Sequence, residues 1–204
     1  MNNIKVRTKL IFVMVVAIAA LVLSVLSSQK SMEQMKENIA AELEADKRAS
    51  YDELIKNEVD SVISLCQQIY KDYQNGTYSL EQAKQIAAVQ IRALRYGDNG
   101  YFWVDQYDGT NVVLLGNSVE GTNRLEAVDG NGNKYIREII KVGQQSGGGY
   151  TDYVYPKEGE TVDSPKRSYS KAFEPFQWVV GTGNYTDYID TQVEQLAQSL
   201  KVLF

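Results

Sequence analysis

The chain has 204 residues, a net charge of −5, no histidine and one cysteine. Those counts exclude a Ser-His-Asp triad, a Cys-His pair, an imidazole-ligated metal and an internal disulfide. Lys5, Arg7 and Lys9 precede the first apolar run, leaving 18 basic against 26 acidic residues, or −8, for the remainder. That balance argues against a nucleic-acid partner.

Residues 10–26 read "LIFVMVVAIAALVLSVL", 17 residues without charge, glycine or proline, and Ser27 and Ser28 extend them. The run suits a transmembrane helix over residues 10–28. A cleaved signal peptide is the competing reading, but its apolar core is usually only about 7–15 residues, and no A-x-A site follows cleanly. The basic residues then keep residues 1–9 cytoplasmic and send the rest of the chain outside the cell membrane.

A helix free of glycine and proline follows over about residues 29–73. Its apolar positions Tyr51, Ile55, Val59, Val62, Cys66, Ile69 and Tyr73 are spaced by fours and threes, a heptad-like seam that needs cover. The helix's own domain or a parallel partner in a homodimer can supply it. "NGTY" (75–78) ends the helix, and Ser79 with Gln82 has capping-box spacing for a second helix to Leu94. The period then changes. Residues 101–105, 110–115, 150–155, 166–173 and 177–185 read as strands rich in aromatic and β-branched residues, with a hairpin turn at 107–109. Residues 133–145 read as a short helix stopped by Gly147, Gly148 and Gly149. Ile189, Val193, Leu196, Leu200 and Leu203 mark a last amphipathic helix, residues 186–204, leading toward a second membrane segment. The expected architecture is α+β, with one extracytoplasmic domain over residues 29–190.

"DGNGNK" (129–134) begins like a calcium loop, but Lys134 replaces the expected glycine and Ile140 the expected glutamate. "GTGNY" (181–185) lacks the third glycine of a dinucleotide fingerprint, so its glycines read as sites of close backbone approach. Asp105, Asp108, Asp152, Asp163 and Asp187 are scattered over turns and strand ends, and no nucleophile stands beside a base. No catalytic residue, metal or cofactor is expected. The remaining chemistry lies in aromatic and basic residues of the strands. By alternation Tyr101 and Trp103 share one face and Phe102 and Val104 the other, while Tyr153 and Tyr155 share a face. Lys166, Arg167 and Tyr169 add cations and a hydroxyl, so the set contains the groups that bind a small anion. Taken singly, each is better explained by core contacts or solvation.

The segments "LRYGDNGYFWV", "DGNGNKYIREII", "GGGYTDYVYPKEG", "SPKRSYSKAF" and "FQWVVGTGNYTDYID", in this order, resemble the single Cache domain (Cache type 2). This is the extracytoplasmic sensor of bacterial methyl-accepting chemotaxis proteins and related transmembrane receptors. The resemblance covers about residues 30–190. It implies a PAS-like antiparallel sheet with a long N-terminal helix, and a cavity for small organic acids such as acetate, propionate, pyruvate or lactate. Arg95, Tyr96, Gly97, Gly100, Tyr101, Phe102 and Trp103 match the family signature. Lys166 and Tyr169 match its PK-x-x-Y segment, and Trp178, Gly181, Gly183 and Tyr185 its closing strand. The His-Pro pair usual at the end of the second strand is missing from "LLGNSVEG" (114–121).

The expected function is a membrane-anchored, dimeric, non-enzymatic chemoreceptor sensor. Lys166 neutralises the charge of a small carboxylate, Tyr101, Tyr153 and Tyr169 donate hydroxyls, and Trp103 forms a flat wall. Ligand-driven movement of the last helix against the long one then carries a signal across the membrane. The same sensor attached to a histidine kinase or cyclic-dinucleotide enzyme is an alternative. A membrane-tethered surface hydrolase and a structural dimeric stalk are readings of another class.

Overall fold

The computed structural model describes residues 6–203, without the side chains of residues 197 and 200–203. Lys5, and the side chains of Leu200 and Leu203 in the expected apolar stripe, lie outside that description. The elements in chain order are α1 (Val6–Gln74), α2 (Leu80–Ala93), β1 (Phe102–Gln106) and β2 (Asn111–Leu114). There follow α3 (Tyr135–Gly143), β3 (Gly149–Pro156), β4 (Asp163–Phe173), a 3-10 turn (Glu174–Phe176), β5 (Trp178–Tyr185) and α4 (Asp187–Leu203). The apolar run and the long helix are one continuous helix, since nothing between residues 26 and 74 breaks the backbone pattern. Its first part contains a window of mean hydropathy 3.0, none of it buried, so length and composition suit a membrane span.

Residues 47–190 form one compact unit, and α1 up to Asp46 with α4 from Thr191 belongs to another. The larger unit holds a five-stranded antiparallel sheet in the order β2-β1-β5-β4-β3. Period-two alternation gives the sheet two different faces. Phe102, Val104, Val113 and Val180 meet Ile55, Val59, Val62 and Cys66 of α1 and Ala83, Ala87 and Ile91 of α2. Trp103, Leu114, Tyr153 and Val179 meet Ile136, Ile139 and Ile140 of α3. The structure is therefore the α+β, PAS-like arrangement expected, with helices covering both faces.

The heptad-like seam is covered by its own domain. Tyr51, Ile55, Val59, Val62, Cys66 and Ile69 are all buried, and each fully buried aliphatic contributes roughly 1.5–3 kcal/mol. Ion pairs fix the helix along the sheet. Arg167 Nε and Nη2 lie 2.6 and 2.8 Å from the two oxygens of Asp52, and Lys171 Nζ lies 2.6 Å from Asp60. Such partly exposed pairs are worth at most about 1 kcal/mol each. The apolar seam dominates the attachment, and the charges set its register.

Cys66 is 0% exposed on that seam, and burial pushes its thiol up to about 12. The thiolate is the reactive species. A maleimide at neutral pH should therefore label Cys66 only after denaturation, and rapid labelling of the native protein would contradict this attachment of α1.

Candidate ligand-binding site

On the α3 side of the sheet, the inward residues of β1, β4 and β3 converge, with β5 lying between β1 and β4. Tyr101 precedes β1, Trp103 lies on β1, Tyr153 and Tyr155 on β3, and Lys166 on β4, where it stands opposite Tyr153 and Tyr185. With Leu114, Arg124, Tyr135, Ile136 and Ile139 they line a cavity of about 10 Å³. That is room for about one water molecule. Tyr101, Trp103 and Tyr153 are 6%, 3% and 8% exposed.

Trp103 can lie against the sheet because of the residue facing it on β5. A Cβ at Gly181 would stand 2.6 Å from the indole Cε2 and Cζ2. Only glycine leaves space for the ring, which is the close approach expected of "GTGNY". The indole Nε1 is buried without an acceptor.

Lys166 supplies the cation. It is 2% exposed, and its Nζ donates to the Tyr101 hydroxyl at 2.7 Å. Four rings enclose it, with centroids at 4.5 Å (Tyr101), 4.9 Å (Tyr185), 5.4 Å (Tyr155) and 5.5 Å (Trp103). Ring faces favour a cation. They do not replace a counter-ion, and no carboxylate of the described residues lies within 4.0 Å of Nζ. Burial therefore draws the Lys166 ammonium down from 10.5 to about 7. Burial also pushes the Tyr101 and Tyr153 hydroxyls upward, so they remain neutral donors.

Arg124 is a second cation of the wall, but it is already engaged. Its Nη2 lies 2.8 Å from both oxygens of Asp105, a residue 0% exposed, and Asn111 Nδ2 donates to the same carboxylate at 2.9 Å. Arg124 Nε has no acceptor. Thus the cavity offers one cation lacking a carboxylate, and two buried N–H groups lacking acceptors, among the described residues.

Of the expected site residues, Tyr101, Trp103, Tyr153 and Lys166 are brought together. Tyr169 is not, which corrects its assignment. It stands three positions after Lys166, an odd step, so strand alternation turns it to the opposite face. There its hydroxyl donates to the Gly147 carbonyl, and its ring lies 5.0 Å from Tyr150. Arg167 likewise faces α1 and pairs with Asp52 and Asp152. Asp105, one of the scattered strand-end carboxylates, is buried against Arg124. Tyr155 was legible from its shared face with Tyr153, whereas Arg124 comes from an irregular segment with no periodic signal. Asp129 of "DGNGNK" serves its own loop, accepting from the backbone N–H groups of Asn131, Asn133 and Val154. Burial raises its carboxyl, and these donors together outweigh that and hold it below the usual range.

Tyr101 also belongs to the wall of a wider groove, about 810 Å³, on its other side. Tyr51, Tyr96, Tyr185 and Tyr188 line that groove with Asp98, Lys157, Glu158, Glu160 and Asp187. Tyr101 thus lines both the small cavity and the wide groove.

A two-faced antiparallel sheet, with a long helix on one face and an aromatic cavity holding a buried cation on the other, is the arrangement of a PAS-like sensor domain. Residues 47–199 match the family single Cache domain 2, and the chain belongs to that family. It is similar to the sensor histidine kinase MctS of Rhizobium johnstonii, 38% identical over 113 residues, 55% of this chain and 24% of that protein. Similarity to the methyl-accepting chemotaxis protein McpP of Pseudomonas putida is 33% over 120 residues, 58% of this chain and 22% of that protein. The chain thus spans about a quarter of these relatives' length. Among solved structures it resembles a periplasmic sensor domain of a chemotaxis protein, with TM-score 0.66 and 31% identity, covering 68% of this chain and 97% of that one. It also resembles a Cache chemosensory domain solved as the structural basis for carboxylic acid recognition. There the TM-score is 0.66 and the identity 26%, covering 70% of this chain and 98% of that one.

The Asp105–Arg124 pair should matter through burial rather than exposure. Arg124→Met leaves a buried carboxylate unpaired and should lower the unfolding free energy by about 3–5 kcal/mol. Adding Asp105→Leu should restore most of that loss in denaturant unfolding. A neutral single variant would contradict the buried pairing.

Proposed function

We propose that this chain is the small-carboxylate sensor of a membrane-anchored chemoreceptor. The observation that supports it is Lys166, a buried amine among aromatic rings with no carboxylate partner. A ligand carboxylate accepts from Lys166 Nζ and the Tyr101 hydroxyl, with Trp103 and Tyr153 as walls and the Trp103 Nε1 and Arg124 Nε as further donors. The Cache domain solved for carboxylic acid recognition supports the ligand class. The cavity holds only about 10 Å³, so even acetate needs the rings or α3 to shift before it is seated. Binding is then a shift between two populations of the domain.

Residues 1–9 are cytoplasmic, residues 10–28 cross the membrane, and residues 29–190 form the sensor outside it. The start of α4 is the output. The Tyr51 ring lies 6.1 Å from Tyr188, and Arg48 Nη2 lies 2.7 Å from Asp190. Lys157 Nζ lies 2.5 Å from Asp187. Movement of Tyr101 and Tyr185 on ligand binding reaches these contacts and shifts α4 along α1. Two copies pair through α1 in the membrane. The domain itself binds without covalent chemistry. The similarity to a sensor histidine kinase supports a second reading of the output, with the same sensor driving a kinase.

A thermal-shift screen of the full chain in detergent, using small monocarboxylates and amino acids, tests this reading. A monocarboxylate at about 100 times its Kd should stabilise the chain by about 2.7 kcal/mol. Lys166→Ala and Trp103→Ala should abolish the shift. Undiminished binding by both variants would show that the ligand sits elsewhere.

A further inference from the structure

The cavity holds its cation in an unusual state for an anion site. Lys166 is 2% exposed, and among the described residues its Nζ has one hydrogen-bond partner, the Tyr101 hydroxyl at 2.7 Å. A phenol can accept from an ammonium and can donate to a neutral amine, so it satisfies either form. Groups from several elements surround the lysine. Tyr101 comes from just before β1, Trp103 from β1, Tyr153 and Tyr155 from β3, and Tyr185 from β5. From α3 comes Tyr135, whose hydroxyl burial pushes up to about 12. Arg124 completes the wall with its charge balanced by Asp105 at 2.8 Å. Beyond the Tyr101 ring, Glu158 and Glu160 are exposed in the groove, and Lys157 is paired with Asp187. Neither a carboxylate nor bulk water compensates a positive charge at Nζ.

We propose that a carboxylate enters this cavity together with one proton, taken up by the Lys166 amine, so the domain responds to anion and proton jointly. The inference rests on the carboxylate reading above. The balance is simple: a neutral amine, a carboxylate and a proton become an ammonium–carboxylate pair, and no covalent bond changes. The free cavity thereby avoids burying a lone charge, which is costly, and the occupied one buries a hydrogen-bonded pair. Burial sets the free lysine at about 7, and an anion in contact raises it again. Because a small carboxylate stays ionised above about pH 6, the lysine is the group whose proton changes on binding. Proton linkage then weakens binding by about tenfold for each pH unit above 7, until the pKa of the occupied state is reached. A receptor so built answers a given amount of carboxylate more strongly in acid surroundings than in alkaline ones.

The test is calorimetry of acetate binding to the full chain in detergent, between about pH 6 and pH 9, in two buffers of different ionisation heat. The expected result is an apparent Kd rising about tenfold per unit above pH 7, with uptake approaching one proton per acetate. Lys166→Arg keeps a permanent charge, so its acetate affinity should be flat over this range. Acetate binding that is independent of pH, without proton uptake, would overturn the coupling and leave the carboxylate site standing. No acetate binding at any pH would overturn both. If Lys166→Arg binds with the wild-type pH dependence, the proton resides on another group and the inference fails. Should the arginine variant fold poorly, the proton count of the wild type still decides.

Discussion

A buried amine without a counter-ion is the constraint around which the rest of this domain is arranged. Lys166 is held at 2% exposure by its place on β4, an interior strand of the sheet, flanked by β3 and β5. Pairing opposite Tyr153 and Tyr185 fixes which way it points. Four aromatic rings then close over it. Each ring excludes water and offers a negative face, but desolvation is the larger effect, and its direction is toward the neutral amine. In the proposed complex, a carboxylate supplies what the protein withholds. By contrast Arg124, a cation of the same wall, already has Asp105 and helps to hold the wall in place.

That arrangement needs a scaffold that keeps β4 and β1 still. The two faces of the sheet divide the work. On one face, the seam from Tyr51 to Ile69 fastens α1 to Phe102, Val104 and Val180. On the other, Trp103 and Tyr153 face α3 across the cavity. Phe102 and Trp103 are neighbours in sequence and belong to different clusters, so one strand carries the attachment of the long helix and a wall of the site. A displacement of Trp103 or Tyr101 is thus felt one residue away by the helix-facing core. Gly181 is the complementary requirement, since any side chain there would collide with the indole.

Periodicity made much of this legible. Alternation separated Phe102 from Tyr101 and Trp103, and the heptad spacing identified the buried side of α1. The same rule, applied to Lys166 and Tyr169, would have put them on opposite faces, because three positions separate them. Following the motif instead of the alternation placed Tyr169 in the cavity. Arg124 and Asp105 were not legible. A loop residue has no period to reveal its direction, and an aspartate at a strand end is usually solvated; only the fold shows that these two meet. The volume of the cavity was also beyond the sequence, because it depends on how α3 and the tyrosine rings fill the space between them.

The protonation state of Lys166 bears most directly on this account. With 13C-labelled lysine in the full chain, and Lys166→Arg to assign the signal, the Lys166 Cε resonance can be followed through a pH titration with and without acetate. The account predicts a midpoint near 7 in the free protein, well below the ordinary 10.5, and an upward move when acetate is added. A midpoint at the ordinary lysine value, unchanged by acetate, would contradict it.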